Sequence, residues 1–280
     1  MAAVTQSHSA KRHVLAPPGR WSGARLQELW EYRDLLYILA WRDVRVRYKQ
    51  AMLGTAWAVL QPVVMMGIFT VVFSRIGNIK TGDVPYPVFA FAGLVPWTMF
   101  ANAVGDSSNS LVMNSSLVSK VYFPRLLIPT SAVLAWVPDF VVGTTVLFVI
   151  IGVYGIVPAW TAIFLPAVLV ATMLAVLSVG IWLSALNVAY RDVRYAVPFL
   201  VQIWLFVTPV AYPSQSIPSK IRWFAGLNPM TWVVDLSRWS LLNTSLAWEV
   251  DGLSLLTTIV LLATGVRYFA RVQHFFADVI

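Results

Sequence analysis

The sequence predicts an all-α integral membrane protein, and three observations carry that prediction. Of its 280 residues, 59% are hydrophobic and only 11% charged, whereas an average soluble domain carries about 25% charge. Six apolar runs approach or exceed the roughly 20 residues that a membrane-crossing helix needs. Lysine and arginine are also distributed unevenly between alternate connecting segments. The hydrophobicity excludes a disordered chain. The absence of cysteine excludes a disulfide scaffold, a Cys-ligated zinc site and an iron–sulfur cluster.

Residues 1–29 are expected to form a flexible tail, punctuated by Pro17, Pro18 and Gly19, with 30–280 forming a single transmembrane domain. The first 20 residues lack the apolar core of a secretory signal. Next comes an amphipathic helix. Tyr37, Trp41, Val44 and Tyr48 are spaced 4, 3 and 4, which aligns them on one stripe. Arg42, Arg45 and Lys49 lie on one flank of the stripe and Arg47 on the other. Such a helix suits the headgroup layer, aromatics at the interface and cations against anionic lipid. It either anchors the chain only or also docks a cytoplasmic partner.

The spans are expected near 51–73, 84–104, 126–157, 160–187, 197–212 and 253–270. The third is long enough to tilt or to extend past the bilayer. The fifth is short, and the sixth includes Arg267, which can snorkel to the interface. Fifteen of the 20 lysines and arginines fall in residues 1–50, in the loops after spans two and four, and in the C-terminal tail; five fall on the other side. Positive charge marks the cytoplasmic side, so both termini are expected there. The net charge of +8 therefore reports membrane orientation. Nucleic-acid binding calls for a basic soluble domain, and none is present.

Two cytoplasmic loops stand out. In 105–125, Leu111, Leu117, Val118 and Val121 recur at partial helical spacing before Pro124. This reads either as a short amphipathic helix across the membrane face or as a simple turn. Its apolar positions favour a docking site, since exposed apolar patches have partners. The other loop, around Tyr190, Arg191 and Asp192, is compact, charged and aromatic, and suits the same partner. On the outer side, 213–252 is too apolar for a free loop, yet Lys220, Arg222, Asp235 and Arg238 prevent an ordinary span. Asn228-Pro229 is a turn signal at its middle. Two short helices dipping into the outer leaflet, with Trp223, Asn228, Pro229 and Trp232 as an outer gate, are one reading. Helices floating in the interface are the other.

Familiar catalytic signatures are missing. No G-x-x-x-x-G-K-[ST], H-E-x-x-H or G-x-S-x-G occurs, and the three histidines lie at 8, 13 and 274. Asp139 is the only carboxylate expected deep in a span, and a buried carboxylate is a functional suspect. It either touches a transported species or pairs with a neighbouring helix at the Pro138 turn. Phe89, Trp97, Phe100, Trp136, Phe140 and Trp204 lie within or near spans. Aromatic faces stack on the C–H faces of sugars, so with Asp139 they are candidate conduit residues. Lipid-facing or helix-packing bulk is the alternative.

Several stretches then match one family. Residues 41–50 (Trp-Arg-Asp-Val-Arg-Val-Arg-Tyr-Lys-Gln), followed by Leu53-Gly54-Thr55-Ala56-Trp57 and Gln61-Pro62, resemble the signature of the permease subunits of polysaccharide ABC exporters. These are the O-antigen, capsule and teichoic-acid exporters of the type-2 ABC permease superfamily. Gly93-Leu94-Val95-Pro96-Trp97, the run from Leu117 to Pro124, Tyr190-Arg191-Asp192-Val193 and Asn228-Pro229-Met230 are similar to it too. The likeness covers about 30–270; each motif is weak alone and specific in combination.

The resemblance implies a homodimer of six-span permeases in the cytoplasmic (inner) membrane, with two copies of a separate ATP-binding subunit. ATP and Mg would be bound by that subunit, and no cofactor by this chain. It implies that 105–125 is the main coupling element, with Leu111, Leu117, Val118, Lys120, Val121, Tyr122, Pro124 and Arg125 as contacts. Tyr190, Arg191 and Asp192 supply a further contact. It places the basic helix near the channel mouth and makes the outer helices an exit gate. The cargo would be a lipid-linked polysaccharide. A permease of the same fold exporting a small drug or lipid is the alternative. An intramembrane enzyme would need more than Asp139, and a scaffold would not need a gated hairpin.

Overall fold

The computed structural model describes residues 30–49 and 54–276. The expected tail, 1–29, and the start of the first span, 51–53, lie outside the described residues, as do His8 and His13.

Among the described residues the chain is helical and contains no strand. Helix α1 (Arg33–Lys49) precedes α2 (Gly54–Phe69), which continues into a π-helical turn, Thr70–Ile76. Helix α3 (Tyr86–Met113) follows, then the short α4 (Ser115–Lys120). The next membrane segment is broken into α5 (Leu127–Leu134) and α6 (Val137–Val153). Helix α7 (Leu165–Ala189) and the 15-residue α8 (Val193–Val207) come next. Then α9 (Arg222–Gly226), α10 (Thr231–Leu242) and α11 (Trp248–Val272) complete the fold. Five helical stretches are long and apolar enough to cross a membrane: Val59–Ile76, Tyr86–Met113, Leu127–Val153, Trp160–Ala189 and Trp248–Phe275. The expected fifth span is present as α8, shorter than those five.

Several boundaries differ from the sequence expectation: the fifth span, expected at 197–212, is Val193–Val207, the sixth, expected at 253–270, is Trp248–Val272, and two differences reshape the bundle. The second span does not stop near 104; α3 runs unbroken to Met113 and absorbs half of the expected loop. Asn109 Nδ2 and Ser110 Oγ turn back onto their own helix, to Gly105 O and Ser107 O, and Asn187 of α7 donates to Ser108 O, so tertiary contacts hold this polar stretch as helix. The third span is two helices. Pro138 has no N–H to give the carbonyl of Leu134, and its ring crowds that carbonyl. The helix therefore ends at Leu134 and restarts with Pro138 in its first turn.

Helix α3 is the axis of the bundle. Of its most apolar stretch 78% is buried, against 11% for Val59–Ile76 and 22% for α11. Helices α7, α5, α6, α10 and α2 pack around it. Close approach relies on small residues, as in membrane interfaces generally. A Cβ at Gly265 of α11 would stand 2.7 Å from the Trp182 ring of α7. That ring stacks on Tyr268 at 4.7 Å and donates Nε1–H to Leu261 O at 3.0 Å.

The bundle has two distinct ends. At one, Leu111, Val118, Phe123, Leu127, Ile181, Ala185, Val188 and Phe269 form a cluster against which α1 packs. This is the basic end. At the other, Ala159 N–H bonds Leu241 O, tying the connection before α7 to α10. Helix α8 runs from the first end to the opposite one, where its irregular continuation meets α10.

That meeting point holds the most buried charge among the described residues. Arg238 is 1% exposed. It donates to Pro209 O at 2.7 Å, Val210 O at 2.6 Å and Phe89 O at 3.3 Å. Its guanidinium lies 3.6 Å from the centre of the Phe89 ring and 3.6 Å from Asp235 Oδ1. Gly93 makes the room: a Cβ there would lie 2.9 Å from Arg238 Nη2. Breaking a buried pair by removing one partner costs about 3–5 kcal/mol. Arg238→Met is therefore expected to lower stability by about that amount, since it also strands three carbonyls. Thermal unfolding of the detergent-purified chain measures it, and an unchanged midpoint refutes it. Gly93→Val should move the midpoint in the same direction.

Candidate functional site

The basic end assembles the candidate coupling surface. Helix α1 lies across the α5 end of the bundle with Leu39 and Ala40 buried. Its predicted stripe runs along the boundary between protein and surface. Tyr37 and Trp41 are exposed and stack in parallel, 6.5 Å between centroids, while Val44 and Tyr48 are partly covered. Arg42, Arg45 and Lys49 line the open side with Tyr37, Ile38 and Trp41 around a shallow groove. Arg45 lies 5.3 Å from the Trp41 ring centre. Arg47, which the spacing put on the other flank, points into the bundle.

Arg47 is the centre of a polar cluster. It donates to Asp139 Oδ2 at 3.1 Å, to Asp106 Oδ2 at 3.1 Å and to Ala135 O at 3.0 Å. Its guanidinium lies 3.5 Å from the Trp136 ring centre, and Trp136 Nε1 donates to the same Asp106 oxygen at 2.9 Å. One turn earlier, Arg42 binds Asp43 and reaches Asn114 Oδ1 at 2.8 Å. Burial, reinforced by the Asp139 carboxylate, pushes the Tyr48 phenol up to about 12, so Tyr48 stays neutral at physiological pH. Asp139 is thus not an isolated acid. It sits in the first turn of α6 and is paired with α1, as one of the two sequence readings anticipated.

The expected loop helix is reorganised. Leu111 is fully buried in α3, Val118 of α4 is 3% exposed and Leu117 is half-buried. These residues hold the tip in place and leave other side chains outward. Met113 is 80% exposed, Tyr122 74% and Val121 51%, with Lys120 beside them. Arg125 donates to Gln273 O, fastening the exit of the loop to the end of α11. Pro124 is partly covered at this bend. Tyr190, Arg191 and Asp192 are exposed in the turn between α7 and α8. Asn187, just before that turn, donates to Ser108 O of α3 at 2.9 Å. The two expected docking loops therefore share one end of the bundle.

The expected conduit residues are dispersed. Phe89, Trp97, Phe100 and Phe140 are at most 5% exposed, inside the helix bundle. Trp97 and Phe100 pack 5.5 Å apart, and Phe100 meets Trp204 edge-on at 5.3 Å. Phe89 is covered by Arg238. In this structure these four rings pack inside the bundle. Trp136 and Asp139 belong to the Arg47 cluster.

The expected outer hairpin exists as α9, the Asn228-Pro229 turn and α10. Trp223 is 51% exposed and stacks on Phe224 at 3.7 Å. The other three expected gate residues are fixed in place. Asn228 accepts from Trp204 Nε1 and from Met230 N–H, both at 3.0 Å, and donates to Thr208 Oγ1 at 2.8 Å. Ser254 of α11 donates to Asn228 O. Pro229 is buried, and Trp232 Nε1 donates to Thr258 Oγ1 at 3.1 Å. Sequence reasoning does not single out Arg238 or Asp106 for these roles. Arg238 offers no local signal beyond its charge, and Asp106 lies in a stretch of loop composition. Truncating the exposed tip residues, Met113→Ser with Tyr122→Ser, should change stability by less than about 0.5 kcal/mol. Thermal unfolding beside the parent chain checks this.

A family profile described as "ABC-2 type transporter" matches residues 34–242. The chain is 29% identical over 248 residues to the O-antigen export system permease protein RfbA of Klebsiella pneumoniae, covering 88% of this chain and 95% of that protein. It is 33% identical over 208 residues to the O-antigen export system permease protein RfbA of Myxococcus xanthus, covering 73% and 79%. It is 28% identical over 206 residues to the polysialic acid transport protein KpsM of Escherichia coli, covering 70% and 77%.

Proposed function

The chain belongs to the ABC-2 type transporter family, and from that premise we propose that it is the transmembrane subunit of an exporter moving a lipid-linked polysaccharide. One observation carries the reading. Relatives spanning most of the chain are named for export of O-antigen or transport of polysialic acid, both glycans. Two copies would form the conduit between them. A separate ATPase subunit, one per copy, would bind ATP and Mg and supply the energy.

In this reading the basic end faces the cytoplasm, in keeping with its excess of lysine and arginine. The tip formed by Met113, Lys120, Val121 and Tyr122 is exposed, apolar and rimmed by charge, which suits insertion into a cleft of the ATPase. The Tyr190-Arg191-Asp192 turn gives a further contact. The outward stripe of Tyr37, Trp41, Arg42, Arg45 and Lys49 suits the anionic headgroup layer. Movement at the opposite end would require the Asn228 and Trp232 bonds to be exchanged, so an outer gate built there opens as a unit.

Two experiments test the reading. The chain has no cysteine, so single-cysteine variants need no background removal. In spheroplasts, an impermeant maleimide should label Trp160→Cys, and should label Tyr122→Cys only after lysis; the reverse pattern removes the orientation. Lys120→Glu and Pro124→Ala should lower surface glycan by about tenfold while the chain still inserts. Wild-type glycan on cells carrying either variant would sink the coupling role of the tip. No change in surface glycan on deleting the chain would sink the export reading itself.

A further inference from the structure

Helix α1 is separated from the tip at 113–122 by α2 and the length of α3, yet two of its arginines reach the last turns of α3. Arg42 binds Asn114, the residue at which α3 ends, and Arg47 binds Asp106, seven residues before Met113. Arg47 also holds Asp139 and Ala135 O at the α5–α6 break, and its flat face lies on Trp136. A single guanidinium thus joins three elements that are far apart in sequence. Only an arginine supplies this set, because its fork donates in several directions while its face stacks on a ring.

The two carboxylates are not equivalent. The Asp139 side chain is 13% exposed and the Asp106 side chain 52%. An exposed ion pair is weak and exchanges readily with water, whereas a covered one is held. Asp139, Ala135 O and the Trp136 ring therefore form a socket, and Asp106, which also accepts from Trp136 Nε1, is the contact that breaks and remakes. Because α3 is one unbroken helix from Tyr86 to Met113, displacement of its tip carries Asp106 with it.

We propose that Arg47 is a positioning residue that yokes α1 to α3: it stays seated on Asp139 and Trp136 while its bond to Asp106 follows the position of the tip. Docking events at the tip are thereby passed to α1 and to the groove that α1 presents. The inference rests on the reading of the chain as an ATP-driven glycan exporter.

The test uses the complete complex with its ATPase subunit, reading glycan exported per ATP hydrolysed. Arg47→Ala should lower that ratio by about tenfold, and Arg47→Lys, which keeps the charge but loses the fork and the stacked face, should recover little of it. Asp106→Ala sits at a half-exposed position and should lower the ratio several-fold with normal amounts of chain in the membrane. That variant decides the matter even where Arg47→Ala fails to accumulate. An unchanged ratio in Asp106→Ala, or a lysine variant equal to wild type, overturns the yoke. If the wild-type complex exports no glycan at all, the transport reading fails instead. A wild-type exporter indifferent to these substitutions leaves that reading standing and removes this one.

Discussion

Backbone that leaves the helix inside a protein of this composition has no water to satisfy it, and that constraint organises the end of the bundle opposite α1. Helix α8 stops at Val207, and the segment after it is buried: Thr208 and Val210 are 0% exposed and Ala211 is 5%. Its carbonyls need donors. Arg238 supplies them for Pro209 and Val210, and the Tyr86 hydroxyl for Ala211 O at 2.7 Å. Asn228 takes up the Thr208 hydroxyl. Those donors come from α3, α10 and the turn before α10, so one requirement fixes the mutual position of all three. Gly93, the Phe89 ring and Asp235 are then dictated by the need to seat a cation there.

The two ends satisfy their polar groups differently. Opposite α1, the donors and acceptors are buried and bonded largely to backbone, so each exchange has to involve several groups together. At the basic end the Arg47 and Arg42 bonds are partly exposed, and large apolar side chains stand outward at the tip. Local rearrangement is easier where ion pairs touch water and where few apolar contacts would be lost. The division of labour proposed for the chain, docking and coupling at one end and a cooperative barrier at the other, follows that difference in wetness.

Much of this was legible in the sequence. Runs such as 160–187 announced helices because length and hydropathy need no tertiary information. The flanks of α1 followed from helical spacing, and Asn228-Pro229 placed the turn. Partner-dependent features were not legible. Gly105-Asp106-Ser107-Ser108 has loop composition, yet it is helix where Arg47 and Trp136 hold Asp106 and Asn187 of α7 bonds the Ser108 carbonyl. Spacing identifies an aromatic as belonging to a helix but not which face meets a neighbour, so Phe89, Trp97, Phe100 and Phe140 read equally well as lining or as packing. Arg238 carried no local signal; only the unwound segment 29 residues away in sequence explains it.

Helix α8 has a consequence for the lipid around the protein. Its 15 residues rise about 22 Å at about 1.5 Å each, roughly 8 Å less than the roughly 30 Å hydrocarbon core. Its outward face is apolar, with Phe199, Leu200, Ile203 and Phe206 exposed, and cannot borrow height from charged flanks at its far end. Where lipid meets that face, so short a helix is accommodated by local thinning of the bilayer or by association with another copy. Acyl-chain length in the host membrane therefore becomes a variable to which this one helix, more than its longer neighbours, responds.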